Sequence, residues 1–347
     1  MSTASPKIRF RDSQIEMAHG AGGKASRRLV EGLFAPLLFG PASAEPLGDA
    51  AHICVNGSRL AITTDSFVVK PLRFPGGSIG ELAVNGTVND LAVSGAKAES
   101  LVVTYVLEAG LPTDVLEAEV RAMARAAERA GVAIVGGDTK VVEHGKADRM
   151  YISTAGIGQL LPGLSLTARG VRPGDKVLLS GPVGDHGITI LLARGELELE
   201  AEISSDTRSV LPLVQRLAAA AGEGLRWMRD PTRGGVATSL NELARDCNLC
   251  IAIHEETVPV RDPVRGACEL LGLDPLHIAN EGQFLAVVSS ELAEAALEAL
   301  QLTPEGRESV IIGEIREHPS GTVLGVTGYG GTRVIDMLVG DPLPRIC

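Results

Sequence analysis

Aromatic residues are scarce, at 3% of 347 residues with a single Trp, so no core in this chain is built around large rings. Volume must come from Val, Leu, Ile and Ala, which a hydrophobic content of 45% supplies, while 41 glycines mark turns and close backbone approaches. Positive charge is also short. The 32 Lys and Arg against 43 Asp and Glu leave a net charge of −11, and without a basic run there is no means of displacing counterions from a nucleic-acid backbone. A nucleotide bridged through Mg2+ remains compatible with that charge. No apolar stretch approaches the length needed to cross a bilayer, and the opening MSTASPKIRFRDSQ lacks the apolar region of a secretion signal, so a cytoplasmic chain with no membrane partner is expected.

Cysteines are few and odd in number, at 54, 247, 250, 268 and 347. A chain of this size does not need disulfides, so reduced thiols are expected. Cys247 and Cys250 form a CxxC near His254, but the further ligands that a structural zinc requires are missing. Internal repeats, low-complexity blocks and coiled-coil heptads are absent too.

What remains is the pattern of an α/β protein of about two domains. A loop-rich segment over 1–50 contains HGAGGKAS at 19–26, which fails as a Walker A loop because Ala25 stands where Ser or Thr should follow Lys24. Its glycines either fold over phosphates with Lys24 or serve only a turn. The first unit, 51–161, has a strand at 59–64 delivering Asp65, and a PGG turn at 75–77 before a helix capped by Ser78. A strand at 101–107 follows, then a helix capped by Thr113 and ended by Gly131, and a strand at 132–135 that runs into GGDTK. PGLS at 162–165 reads as a linker to the second unit, 166–336, in which GDHG at 184–187 opens a helix. The GG before Val236 places amides at another helix N-terminus, where an anion is stabilised. In the tail, 337–347, Pro342 and Pro344 predict an extended segment poorly tied to any core. At 3.3 to 3.6 Å per residue its last seven residues reach about 23 to 25 Å, which makes the terminal thiol of Cys347 a mobile group.

Acidic residues recur at the ends of apolar runs and in glycine-rich turns: Asp49, Asp65, Asp138 and Asp230, with Asp90 inside a helix. Carboxylates so placed suit Mg2+ shared with phosphates, although any one of them alone is an ordinary turn or cap residue. The helix from Ser78 carries Asn85, Gly86, Asn89 and Asp90 in its interior, each a poor helix former. A solvated face would carry Glu, Lys and Arg instead, so this polar side is expected to face a ligand.

GTVNDLAVSGA, VGGDTK, SGPVGDHG, DPTRGGVATSLNELA, ANEG and the terminal PRIC occur in this order along most of the chain. Together they resemble the HypE family, the carbamoyl dehydratases of NiFe-hydrogenase maturation, within the PurM-like (AIR synthetase) superfamily. The resemblance implies a two-domain α/β (α+β) fold whose first domain dimerises into a β-barrel, with ATP and Mg2+ bound across the domains and a flexible tail bearing the carrier Cys347. It implies metal positions at Asp49, Asp65, Asp90 and Asp230, nucleotide positions at Asp65, Asn89, Asp90, Gly137, Asp138, Thr139 and Asp230, and catalytic positions at Lys140 and Glu281. The implied chemistry is ATP-dependent conversion of an S-carbamoyl group on Cys347 to a thiocyanate, with HypF as carbamoyl donor and a HypC–HypD complex receiving cyanide. Another ATP-dependent synthetase of the superfamily, forming selenophosphate or a phosphorylated amide, and a non-catalytic maturation adaptor are the rival readings.

Overall fold

The computed structural model describes residues 9–39, 46–195, 201–340, 343 and 345–347. Near the N-terminus a short helix, α1 (Lys24–Leu29), passes through a π-helical turn at Val30–Phe34 into α2 (Ala35–Leu38). Alternating apolar residues then form β1 (Ala51–Val55) and β2 (Ser58–Phe67), followed by the two-residue strands β3 (Arg73–Phe74) and β4 (Gly77–Ser78) and by helix α3 (Ile79–Val93). Strand β5 (Ala96–Glu108), helix α4 (Thr113–Ala130), β6 (Ala133–Val142) and β7 (Met150–Leu160) complete the first unit. Its sheet has the order β1-β2-β7-β5-β6, antiparallel except for the β5–β6 pair that α4 connects.

The second sheet has seven strands in the order β14-β13-β10-β12-β8-β11-β9. These are β8 (Lys176–Leu179), β9 (Leu225–Arg229), β10 (Cys250–His254), β11 (Leu285–Val288), β12 (Val310–Arg316), β13 (Thr322–Val326) and β14 (Thr332–Ile335). Helices α5 (Asp185–Ala193), α6 (Leu211–Ala221), α7 (Gly235–Cys247), α8 (Asp262–Leu271) and α9 (Ala293–Gln301) pack around it. Among the described residues no helix is long and apolar enough to cross a membrane.

The two units share a core, and α3 is the reason. Leu82, Val84, Val88 and Leu91 of α3 belong to one buried apolar cluster with Leu211, Val214 and Leu217 of α6, so this helix lies between its own sheet and the second unit. A helix buried on opposite sides needs no strong amphipathic stripe. Ser78 does occupy the N-cap position, but its hydroxyl makes no capping bond and is buried without a partner. Instead Glu119 Oε2 accepts from the Gly80 amide at 3.2 Å. Gly80 is needed there, because a Cβ would stand 2.2 Å from the Glu119 carbonyl oxygen. Thr113 begins α4 one residue after its cap, Pro112, and Gly131 ends that helix in the left-handed region at φ 66°.

The interior asparagines of α3, expected from sequence to face a ligand, make hydrogen bonds to the second unit. Asn85 Nδ2 donates to Thr207 Oγ1 at 3.2 Å. Asn89 Nδ2 donates to the carbonyls of Arg208 (2.9 Å) and Glu281 (3.2 Å), and its Oδ1 accepts from the Val210 amide at 2.8 Å. Asn89, assigned above to nucleotide binding, therefore uses both ends of its amide to bind the second unit to the first. A buried amide left without a partner costs about 1 to 3 kcal/mol. Asn89→Ala is thus expected to destabilise the chain by about 2 kcal/mol in urea denaturation; a change within experimental error would show that the bonds to Val210 and Arg208 are replaced at no cost.

Candidate active site

Carboxylates from both units converge where α3 meets the second sheet. Asp49 precedes β1, Asp65 lies near the end of β2, Asp90 is on α3, and Asp230 follows β9. Asp49, Asp90 and Asp230 each offer an oxygen within 4.8 Å of the others. Thr63, one residue pair earlier than Asp65 on β2, places its hydroxyl 2.8 Å from Asp90 Oδ2 and 2.7 Å from the Asp49 carbonyl. Glu281 is buried beside them, and its Oε1 has no hydrogen-bond partner. Gly86, a turn before Asp90, lets Phe67 and the Asp65 carboxylate close on α3.

Burial is the first cause that raises the pKa of each of these acids, and for Asp90, Asp230 and Glu281 repulsion by neighbouring acids is the second. Asp90 is pushed well above the usual carboxylate range by burial and then by Asp230, Asp49 and Asp65. Asp230 is raised likewise by burial and by Asp49, and Glu281 by burial, Asp65 and Asp230. Asp49 and Asp65 are raised by burial too, against the opposing charges of Arg229 and Arg233 respectively. Arg229 stands 3.1 Å from Asp49 Oδ1 and 3.3 Å from Glu242 Oε2. An oxygen-only donor set, under-compensated in charge and with an unpartnered carboxylate oxygen beside it, fits a hard divalent cation such as Mg2+.

The GGDTK residues are elsewhere. Gly137, Asp138, Thr139 and Lys140 lie within β6, a continuous strand and not the turn that the glycines imply. Gly137 is small because a Cβ would collide with the Val103 carbonyl of β5. Lys140 Nζ pairs with Asp138 Oδ2 at 2.8 Å on the exposed strand. Since β6 is three positions from β2 in the sheet order, these residues stand roughly 14 Å from the strand of Asp65, at about 4.8 Å per strand. Within one chain they do not join the acidic group.

The glycine-rich N-terminal segment closes over the far side. Arg233 Nη1 donates to the Gly20 carbonyl at 2.8 Å, and Gly22 packs against the Arg233 backbone. Lys24 is not held for phosphates: its amide donates to the Leu338 carbonyl at 2.9 Å and its Nζ pairs with Asp336 at 2.5 Å. Gly235, at φ 61°, lies where a Cβ would meet the carbonyls of Leu276 and Ile278 at 2.6 Å, so this glycine serves close packing. Arg229, Arg233 and Thr63 went unnoticed in sequence. The one available signal was their spacing around Asp230 and Asp65.

The tail is seated, where its prolines predict a loose end. Pro342 and Pro344 lie outside the described residues, but Leu343 and Ile346 are buried. The Val68 amide donates to the Cys347 carbonyl at 3.0 Å and the Lys70 amide to the Arg345 carbonyl at 3.4 Å, an antiparallel pairing. Arg345 reaches Asp148 at 2.7 Å, and Arg194 Nη2 donates to the Arg345 carbonyl at 2.7 Å. Burying two aliphatic side chains outweighs the loss of proline donors. Val68 follows Asp65 by three residues, so the terminal carbonyl is about 10 Å along the chain from that carboxylate. The tail lies along residues 68–70 of its own chain. His186, which sequence left without a role, is buried beneath it, with Nε2 at 2.6 Å from the Ile346 carbonyl. His144 is exposed near Glu108, and Cys247 and Cys250 belong to no metal-binding group among the described residues.

Comparison with known proteins agrees with this architecture. Residues 47–160 match the N-terminal domain, and residues 172–325 the C-terminal domain, of AIR synthase related proteins. The carbamoyl dehydratase HypE of Azotobacter vinelandii is 47% identical over 341 residues, which is 98% of this chain and 99% of that one. Among solved structures, a HypE–HypF complex matches with a TM-score of 0.84 and 44% identity, covering 89% of this chain and 99% of the other. HypE in complex with ATP matches with a TM-score of 0.80 and 43% identity, covering 95% and 99%.

The raised acids have a measurable consequence. Their folded-state pKa values lie above the unfolded ones, so the folded chain holds protons more tightly and, free of cations, gains from these groups as pH falls through the raised values. Asp90→Asn keeps an oxygen for the Thr63 hydroxyl and removes one repelling charge. In EDTA at pH 7.5 it is expected to raise the thermal midpoint by about 3 °C, the gain shrinking as pH falls and the unaltered acid takes up its proton. A lowered midpoint would mean that the Asp90 carboxylate is stabilised, not strained, in the cation-free protein.

Proposed function

We propose a function from the premise that the chain belongs to the HypE family of carbamoyl dehydratases, within the AIR synthase related proteins. It uses ATP to dehydrate an S-carbamoyl group on Cys347 to a thiocyanate, which supplies cyanide for the iron of NiFe-hydrogenases. The observation that carries this reading is the seat of the tail: the last residue of the chain is paired with residues 68–70, the continuation of the strand that bears Asp65.

The thiocarbamate oxygen is a poor leaving group, so it must first attack the γ-phosphorus of ATP, releasing ADP and leaving as phosphate afterwards. The carbamoyl nitrogen gives up its protons in the process, one on forming the O-phosphorylated imidate and one as the carbon–nitrogen triple bond forms. The balance is S-carbamoyl plus ATP to thiocyanate, ADP, phosphate and a proton. Glu281, buried and raised in pKa by that burial and by Asp65 and Asp230, is the base we assign to nitrogen, because raising the pKa of a carboxylate makes it the stronger proton acceptor. Asp49, Asp90 and Asp230, with Asp65 beside them, would hold Mg2+, which when bound neutralises charge on the phosphates. Burial keeps bulk water from the imidate, which would otherwise be hydrolysed.

Lys140, Asp138, Thr139 and Gly137 enter this scheme through a second copy of the chain. Every residue from Ala133 to Val141 on β6 is exposed, Ile134, Val135 and Val141 included, which is the composition of a covered face. A homodimer that closes the first sheets into a barrel would cover it and bring Lys140 toward a nucleotide, to stabilise charge on the reacting oxygen. HypF as carbamoyl donor, a HypC–HypD complex as cyanide acceptor and a cytoplasmic location complete the proposal.

Intact-mass measurement after incubation with HypF, carbamoyl phosphate and ATP tests it. Cys347→Ala is expected to fold and bind ATP yet gain no adduct, whereas a carbamoyl or cyano mass on that variant would remove Cys347 as carrier. Glu281→Gln is expected to accumulate the carbamoylated tail, with the loss of about 18 Da that marks dehydration slowed at least about a hundredfold; an unchanged rate would take Glu281 out of the mechanism.

A further inference from the structure

We infer that His186, oriented by Ser205, is a positioning residue that latches the C-terminal tail in the cleft and shares one short segment with the support of Glu281. The catalytic consequence rests on the dehydratase reading above; the latch does not.

A peptide carbonyl only accepts, so the 2.6 Å contact with the Ile346 oxygen requires the hydrogen on His186 Nε2. Nδ1 must then accept, and it lies 2.7 Å from the Ser205 hydroxyl. That hydroxyl oxygen in turn accepts from the Thr207 amide at 3.1 Å, which leaves its own hydrogen for the imidazole. The chain of bonds fixes a single neutral tautomer. Phe74 meets the ring edge-on at 5.6 Å and 86°, so its plane is fixed as well. Complete burial lowers the pKa of His186 to about 4, partly offset by the bond to Ile346, and the ring stays a neutral single donor near neutral pH. The opening of α5 supplies the space: a Cβ on Gly187 would meet Leu343 of the tail at 3.3 Å.

Ser205 also connects the seat to the acids. Its neighbour Asp206 accepts from the amides of Glu281 at 3.0 Å and Gly282 at 3.2 Å, and Thr207 accepts from Asn85 of α3. Three consecutive residues thus hold the tail latch, the backbone of the base and the helix bearing Asp90. When the tail leaves, His186 Nε2 loses its short bond to the Ile346 carbonyl, and regaining that bond favours return.

The test uses two substitutions at one position. His186→Leu fills the ring's space without a donor, and His186→Gln retains an N–H. Cys347 is half-buried when seated, so alkylation by iodoacetamide, located by fragment mass and run without ATP or any partner, reports tail opening as the increase over the seated rate. His186→Leu is expected to react about tenfold faster than the unaltered chain, equivalent to about 1.4 kcal/mol, with His186→Gln much closer to it. In carbamoylated protein, single-turnover loss of water should fall by a similar factor in His186→Leu and recover in His186→Gln, with ATP affinity unchanged. Equal alkylation rates in all three proteins would overturn the latch. Faster alkylation with unchanged dehydration would overturn the positioning role. Should His186→Leu not fold, Ser205→Ala, which frees the tautomer, is expected to shift both readouts in the same direction by a smaller factor, and no shift would overturn the inference. If the unaltered protein never acquires a carbamoyl adduct but the alkylation pattern holds, the dehydratase reading fails and the latch stands.

Discussion

Like charges gathered in a buried space repel one another, and in this protein Asp49, Asp65, Asp90, Asp230 and Glu281 come from both halves of the chain. Their own electrostatics would drive the two units apart. What opposes this is α3, buried on one side against the first sheet and on the other against α6. The bonds of Asn85 and Asn89 to residues 207–210 fix its register. One helix therefore has two tasks on adjacent stripes: the asparagines join the units, and Gly86 and Asp90 face the point where the acids meet. The cluster is strained in the cation-free state, as sites that await a ligand commonly are.

Asp49, Asp65 and Asp230 were legible in the sequence because they stand at the ends of apolar runs or in glycine-rich turns, although Asp138, which shares that pattern, lies elsewhere on β6. Asp90 was legible as a polar residue inside a helix and Glu281 only through the family resemblance, and these five acids lie close together. The polar stripe of α3 was legible as unusual but not as to its partner, since a helix uses the same residue types to face a ligand or another unit of its own chain. Gly136 and Gly137 suggested a turn; they belong to a strand whose close approach to Val103 leaves no room for a Cβ. His186 stood out only as part of the GDHG motif, with nothing to assign it a role. Its partner is a backbone carbonyl at position 346, and backbone groups leave no trace in composition.

The tail shows how proline can mislead. Pro342 and Pro344 argue against a helix, and from that it is a short step to a free end. Leu343 and Ile346, however, provide aliphatic surface that is buried, and the backbone oxygens of Cys347 and Arg345 accept from the amides of Val68 and Lys70 although Arg345, at φ 60°, interrupts an extended backbone. Arg345, flanked by Asp148, Arg194 and Val68, sets the depth to which the segment enters.

Because the seat and the segment that fills it are one polypeptide, their encounter rate is set by the length of the connecting stretch and not by how much protein is present. Seating of the thiol is then insensitive to dilution, whereas the pairing of two copies and the loading and unloading by other molecules are not. A cell that makes little of this protein would lose speed at those encounters, while the return of the tail to its seat would keep its full intrinsic pace.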